Sequence, residues 1–180
     1  MVLISGLEIS MYSWRITKYN PKYRDNRGAY LKDEWICYSE IGKKFDHKTF
    51  TFKDYIAVEN SYVQAILLFV DDLKIKFFLL NGFEDCGLCI NDPYQTVEMV
   101  NLYKQIKKKK WINKEDLDSC IRLILRGNIW GKLESSSMHV HFGYDYYMYV
   151  ISIKKNDAVL KSIEKLGLFV EEFRSPYIDD

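Results

Sequence analysis

No motif in this chain commits it to a chemistry. It contains no Walker A glycine loop, no G-x-G-x-x-G fingerprint, no G-x-S-x-G elbow and no H-E-x-x-H. The phosphate cradles, strained nucleophile turns and metal helices that those patterns build are therefore not encoded. A charge excess is also lacking. Lys and Arg number 26 against 25 Asp and Glu, a net of +1, whereas a dedicated nucleic-acid binder carries a clear basic surplus. No window approaches the roughly 18 apolar residues of a membrane helix. Residues 1–10 lack the basic start and the long apolar run of a secretion signal. The cysteines, Cys37, Cys86, Cys89 and Cys120, do not form the dense framework of a small secreted scaffold. Cys86-Gly87-Leu88-Cys89 is a C-x-x-C, yet zinc would need two further ligands and redox use a thioredoxin-like βαβ setting. Ordinary reduced thiols are the expectation. Internal repeats, low-complexity segments and domain linkers are missing too. The expectation is a cytoplasmic domain with no catalytic role, no cofactor, no bound metal and no membrane.

What is present supports a full core. The 180 residues are 48% hydrophobic and 28% charged, which suits a single globular domain over residues 1–180. Residues 1–10 read as a flexible extension, with Met11 an alternative start. Aromatics reach 16%, including 14 tyrosines. Part of that is core, and part suits an interface, because tyrosine brings contact area at small rotamer cost.

Periodicity then places the elements. Tyr12, Trp14 and Ile16 alternate with Ser13, Arg15 and Thr17, a half-buried strand over 12–18. Residues 33–41 read as a short helix stopped at Gly42. Thr51-Phe52-Lys53-Asp54 resembles a capping box, and the helix behind it carries Tyr55, Val58, Tyr62, Ile66, Phe69 and Val70 at helical spacing. Residues 74–81 read as a buried strand closed by Gly82. Asp92-Pro93 looks like the start of a helix whose apolar stripe is Val97, Val100, Tyr103 and Ile106. That helix runs into Lys107 to Lys110, where positive charge complements its dipole. Asn113 caps a third helix that Gly127 ends. Residues 128–134, 137–142 and 145–153 read as an antiparallel meander. Asn156 opens a last helix that stops at Gly167, and residues 168–173 form a final strand. Without regular βαβ alternation, the fold class is α+β, an antiparallel sheet with about four helices packed on it.

The segment from Trp14 to Trp35 is the richest in recognition chemistry. Its loop carries the turn formers Asn20-Pro21 and Asn26-Arg27-Gly28, with Tyr19, Tyr23, Arg24, Arg27, Tyr30 and Asp33 between them. Long ordered loops in compact domains often carry function. Aromatic rings and guanidinium groups are the usual anchors of interfaces. These six are the candidate partner-binding residues.

Catalytic candidates are thinner. His139-Val140-His141 puts both imidazoles on one face of a strand, opposite Met138, Val140 and Phe142. Two histidines can serve as acid and base or as metal ligands. A metal needs a third ligand that no neighbour in sequence supplies, so the solvent face of a hairpin is the plainer reading. His47 lies in a loop. Lys107 to Lys110 followed by Trp111 could grip phosphate and stack a base. A solvated helix end is commoner. Asp71-Asp72 and Glu171-Glu172 read as solvated charges, although carboxylates can mimic phosphate on an inhibitor of a basic nuclease.

The opening Trp14-Arg15-Ile16-Thr17-Lys18-Tyr19-Asn20-Pro21 and the close Tyr38-Ser39-Glu40-Ile41-Gly42-Lys43 resemble bacterial immunity proteins of contact-dependent and polymorphic toxin systems. The resemblance continues more loosely through the Phe50 to Val70 helix. It brings no catalytic residues. It implies a cytoplasmic antitoxin that binds one cognate toxin domain, a nuclease for many toxins of this kind, and blocks it. The alternative from the residues is an RNA-binding or RNA-processing protein using Lys107–Trp111 and the His139/His141 pair.

Overall fold

The computed structural model describes residues 11–89 and 92–178, together with the backbone of two short strands, β1 (Leu3–Ile4) and β2 (Leu7–Glu8), which pair with each other. The expected flexible extension falls on residues 1–10 and lies, apart from that pairing, outside the described residues.

The centre of the molecule is a seven-stranded antiparallel sheet. In chain order its strands are β3 (Tyr12–Thr17), β6 (Phe77–Asp85), β7 (Trp111–Asn113), β8 (Ile129–Glu134), β9 (Met138–Phe142), β10 (Met148–Ser152) and β11 (Phe169–Glu172). Their order across the sheet is β11-β3-β10-β9-β8-β6-β7. A two-residue ladder of β4 (Lys44–Phe45) and β5 (Lys48–Thr49) stands apart. Four helices, α1 (Phe52–Leu73), α2 (Val97–Ile106), α3 (Lys114–Leu125) and α4 (Asp157–Lys165), complete the α+β domain.

Strand alternation decides which face the helices cover. Trp14 and Ile16, Val140, Leu133, Phe78 and Ile112 point to one side and join Tyr55, Tyr62, Ile66, Met99, Leu117 and Ile163 of the helices in a single core. Each fully buried aliphatic or aromatic side chain there contributes about 1.5–3 kcal/mol. The opposite face carries Ser13, Arg15, Tyr149, His139, His141, Lys132 and Glu134. Residues 173–178 cross part of it: Phe173 N donates to Ser13 O (3.1 Å) and Ser13 Oγ to Phe173 O (2.7 Å).

Helix α1 begins where the capping box predicts. Asp54 N donates to Thr51 Oγ1 (3.2 Å) and Thr51 N to the Asp54 carboxylate (3.1 Å), satisfying two orphan amides. Lys74, in the left-handed conformation at φ 57°, ends it. Inside the core Glu59 is fully buried, gripped by Arg126 in a bidentate pair (2.7 and 2.9 Å) and by Arg122 (2.6 Å). Tyr55 Oη donates to the same carboxylate (2.9 Å). Asp145 and Tyr146, between β9 and β10, sit at φ 56° and 61°. Such strain persists where surroundings over-determine it. Tyr146 Oη donates to Leu125 O (2.6 Å), and its carbonyl accepts from Tyr62 Oη (2.6 Å).

Four expectations need correction. Residues 33–41 hold only a single 3-10 turn, Tyr38–Glu40; the Glu40 carboxylate takes Ile36 N (2.7 Å) and Trp35 stacks on Phe50 (4.5 Å), pinning an irregular path. Strand β6 does not stop at Gly82. The glycine, at φ +62°, sits in a register shift between Asn81 and Glu84, after which pairing with β8 resumes. The second helix starts at the cap Thr96 rather than Asp92, which instead accepts Tyr94 N (2.9 Å) and Tyr38 Oη (2.7 Å). Its buried stripe is accordingly Met99, Leu102 and Ile106, with Val97 70% exposed. Trp111, read with the preceding lysines as a solvated helix end, instead opens the edge strand β7 against Phe77–Leu79, while Asn113 caps α3 as expected.

Candidate functional site

Two regions on the non-helical side of the sheet gather functional side chains: the loop that follows β3, and the β8–β9 hairpin.

The loop leaves β3 at Thr17 and is tied down along its length. Asn20 Oδ1 takes Lys22 N (3.1 Å) and caps a 3-10 turn at Pro21–Tyr23. Asp25 Oδ1 takes the amides of Arg27 and Ala29 (2.9 Å each), folding the tip, and Gly28 adopts φ +85° where a side chain would be strained. Arg24 and Tyr30 pair as an isolated bridge. Side chains add the anchors. Tyr19 is 2% exposed, between Tyr30 (ring centroids 4.7 Å) and Tyr147 (5.4 Å). Arg24 reaches under the loop to Glu171 on β11 (2.6 Å), which also binds Arg15 from β3 (3.1 Å). Lys18 Nζ lies over the rings of Tyr19 (4.1 Å) and Trp35 (4.2 Å) and bonds Glu34 (3.3 Å); burial pulls its amine down to about 8. Tyr30 Oη donates to Glu34 (2.8 Å).

The six sequence candidates therefore divide. Tyr19 and Arg24 are internal anchors, and half-buried Tyr30 takes part in the same stapling. Tyr23 is half-buried and flanked by the ammonium groups of Lys32 (3.8 Å) and Lys22 (4.8 Å). Arg27 and Asp33 are exposed, beside Leu31, which is 68% exposed. Residue type alone does not separate a tyrosine that locks a loop from one that meets a partner, since both jobs use the same ring.

The acidic pairs are engaged internally as well. Asp71 meets Lys114 (2.6 Å), Asp72 meets Lys154 (3.0 Å) and Glu172 meets Lys155 (2.7 Å). In the basic run, Lys107 bonds Asp85 (2.5 Å) and Lys109 bonds Asp116. Trp111 and Phe77 form an edge-on pair (5.3 Å), each more than half exposed. Cys86 and Cys89 are exposed free thiols and Cys120 is buried. Burial and the nearby Glu84 and Asp85 push the Cys86 thiol up, away from the depressed values of reactive cysteines.

The hairpin departs from its expected solvent-face reading. His141 is buried, 3% exposed, with Nδ1 2.8 Å from Ser175 Oγ. Register places Glu134 of β8 directly opposite His139 of β9. In sequence no Asp or Glu stands next to either histidine. The signal was nonetheless present: two strands joined by the short Ser135-Ser136-Ser137 turn must pair the residues on either side of it. Glu171 and Ser175 were equally unforeseen in their roles, because their partners lie more than a hundred and some thirty residues away respectively.

A cavity of about 380 Å³ opens between the 36–39 segment, the 143–147 turn and the end of α3. Three of its polar groups are used internally: Tyr38 Oη on Asp92, Arg126 on Glu59, Tyr62 Oη on Tyr146 O. It offers few convergent groups to a ligand. No protein-family model, no curated protein and no solved structure matches this chain, so the residues themselves carry the functional argument.

Proposed function

We propose that this chain is a cytoplasmic immunity protein that binds a cognate bacterial toxin domain, a nuclease, and blocks it without enzymatic activity of its own. The observation that carries the reading is the stapled loop. Tyr19, Arg24 and Tyr30 fasten it to Tyr147 just before β10, to β11 and to Glu34, and it offers Tyr23, Arg27, Leu31 and Asp33 outward. A loop ordered before binding loses little entropy on contact, so its aromatic and guanidinium groups yield more affinity per residue. The resemblance of Trp14 to Lys43 to immunity proteins points to the same partner class. The chain has no helix long and apolar enough to cross a membrane among its described residues, which is compatible with cytoplasmic work.

An inhibitor must outcompete its target's substrate, so nanomolar affinity or better is expected. Isothermal titration against the domain encoded by an adjacent toxin gene measures it. Tyr23→Ala with Arg27→Ala is expected to weaken binding at least a hundredfold while the fold persists. Unchanged affinity in that double variant would remove the loop from the interface.

A second reading rests on Trp111 and Phe77, exposed together beside Lys108 and Lys110, as a stacking platform for RNA. The capture of Lys107 and Lys109 by carboxylates takes half of the charge run out of that surface. Micromolar or absent binding to every candidate toxin, with RNA affinity that falls steeply with salt and is lost in Lys108→Ala with Lys110→Ala, would favour it.

A further inference from the structure

The β8–β9 hairpin assembles a donor set that neither strand holds alone. One ligand atom from each of Glu134, His139 and His141 lies within 4.8 Å of the other two. The imidazoles meet edge to face with ring centroids 6.3 Å apart. Among the described residues no other trio of His, Cys, Asp or Glu converges in this way. We infer that Glu134, His139 and His141 bind a divalent transition-metal cation, with Zn²⁺ the ion their donors suit best.

Two imidazole nitrogens and one carboxylate oxygen are a borderline donor set, matched to Zn²⁺ and its neighbours rather than to Mg²⁺ or Ca²⁺, which prefer oxygen alone. The surroundings orient the donors. His141 Nδ1 lies 2.8 Å from Ser175 Oγ; in the tautomer that donates Nδ1–H to this hydroxyl, Nε2 carries a lone pair toward a metal. Asn81 Nδ2 donates to both oxygens of Glu134 (3.2 Å each) and fixes the carboxylate plane. Burial holds both imidazoles below their ordinary value, His141 at about 4.

Nearby positive charge opposes binding: Lys74 and Lys76 line the cleft beside Glu134 and His139. Lys132 lies on the same sheet face and its ammonium lowers the proton affinity of His141. Its Nζ donates to Tyr177 O (3.2 Å). A set of three protein ligands with a single carboxylate points to micromolar affinity rather than the far tighter binding of a four-ligand structural zinc site. Three protein ligands leave a coordination position free. Glu134 and His139 border a cleft of about 570 Å³ shared with Phe77, Trp111 and the serine turn. A water, or an oxygen or nitrogen donor from a bound partner, would complete the shell.

The test is titration of the full chain with ZnCl₂ after metal removal, followed by calorimetry. One Zn²⁺ per chain at micromolar affinity or tighter is expected. Glu134→Gln and His139→Ala, both at half-buried positions, should each weaken it at least tenfold with unchanged circular dichroism, and Ser175→Ala by a smaller factor. Cys86→Ser with Cys89→Ser should leave it unchanged, and the Co²⁺ complex should show d–d bands without thiolate charge transfer. Failure to bind Zn²⁺ would overturn the assignment. So would binding that survives His139→Ala and Glu134→Gln, or binding that the double cysteine variant abolishes.

Discussion

Two carboxylates decide much of what single residues contribute. Glu59 is fully buried and Arg126 is 2% exposed at its side chain, so removing the acid leaves a guanidinium stranded away from water. Glu59→Ala is expected to cost about 3–5 kcal/mol, read from urea unfolding. Lys48 and Asp54 make a pair of similar length at 2.9 Å, yet the lysine is 76% exposed. Lys48→Ala should cost no more than about 0.5 kcal/mol, because solvent screens that pair. Glu171 falls between them and holds the loop that follows β3. Burial pushes its carboxyl up, and the bonds from Arg24 and Arg15 more than offset that, so it sits below its ordinary value of 4.5. Its folded form binds a proton less readily than its unfolded form. The stability it supplies is complete above the ordinary value and is lost as pH falls through the folded one. Glu171→Gln should cost about 2–3 kcal/mol near neutrality and flatten the acid limb of the stability–pH curve. An unchanged acid limb would place the acid sensitivity elsewhere. Tyr23 and Arg27 contacts with a partner should weaken alongside, since Arg24 no longer fixes the loop above β11.

At the scale of elements, helix α1 is the clearest case of local encoding. Thr51 and Asp54 satisfy each other's amides and an apolar stripe follows at helical spacing. Thr51→Ala should cost about 1 kcal/mol in chemical denaturation, whereas a cost near zero would mean that packing alone sets the helix start. Elements with such local signals were legible from sequence: β3 from its alternation, α3 and α4 from their Asn caps, and the meander β8–β10 from its turns. Those that failed depend on distant partners. Asp92-Pro93 has the chemistry of a helix cap, but Tyr38 claims the Asp92 carboxylate from 54 positions away and the helix begins later. Gly82 has the look of a strand end, yet β8 supplies pairing on both sides of it and turns it into a bulge. The same limit governed the sites. The composition of the Tyr19–Asp33 loop marked it as unusual, while the division of its residues into anchors and exposed groups depended on Tyr147 and Glu171. His139 and His141 were visible as a pair. Their carboxylate became visible once the hairpin register placed Glu134 across from His139.

The whole molecule is a sheet with helices on one face and the candidate functional side chains on the other. Strand β11, late in the chain, pairs with β3 near its start, and the Arg24–Glu171 bond joins the loop to that pairing. The candidate binding surface therefore exists only in the completed fold, so partner affinity and global stability should fall together in variants at this junction. Net charge supplies a further discriminator. At +1 the chain has no strong field to steer a polyanion, and many of its lysines are already paired with carboxylates. A protein interface centred on Tyr23, Arg27, Leu31 and Asp33 would draw its affinity from desolvated rings and short-range hydrogen bonds, with charge acting mainly on the association rate. Binding to RNA would instead release counterions, and an interface neutralising 6–10 phosphates loses on the order of 10³–10⁵ in affinity between about 50 and 200 mM salt. For the toxin complex the dissociation constant is expected to change by less than about tenfold over that range, with most of the change in the on-rate. Calorimetry and stopped-flow association across a salt series measure both quantities. A steep loss of affinity with salt, carried by the off-rate and abolished by Lys108→Ala with Lys110→Ala, would move the functional surface from the loop to the Trp111 edge of the sheet.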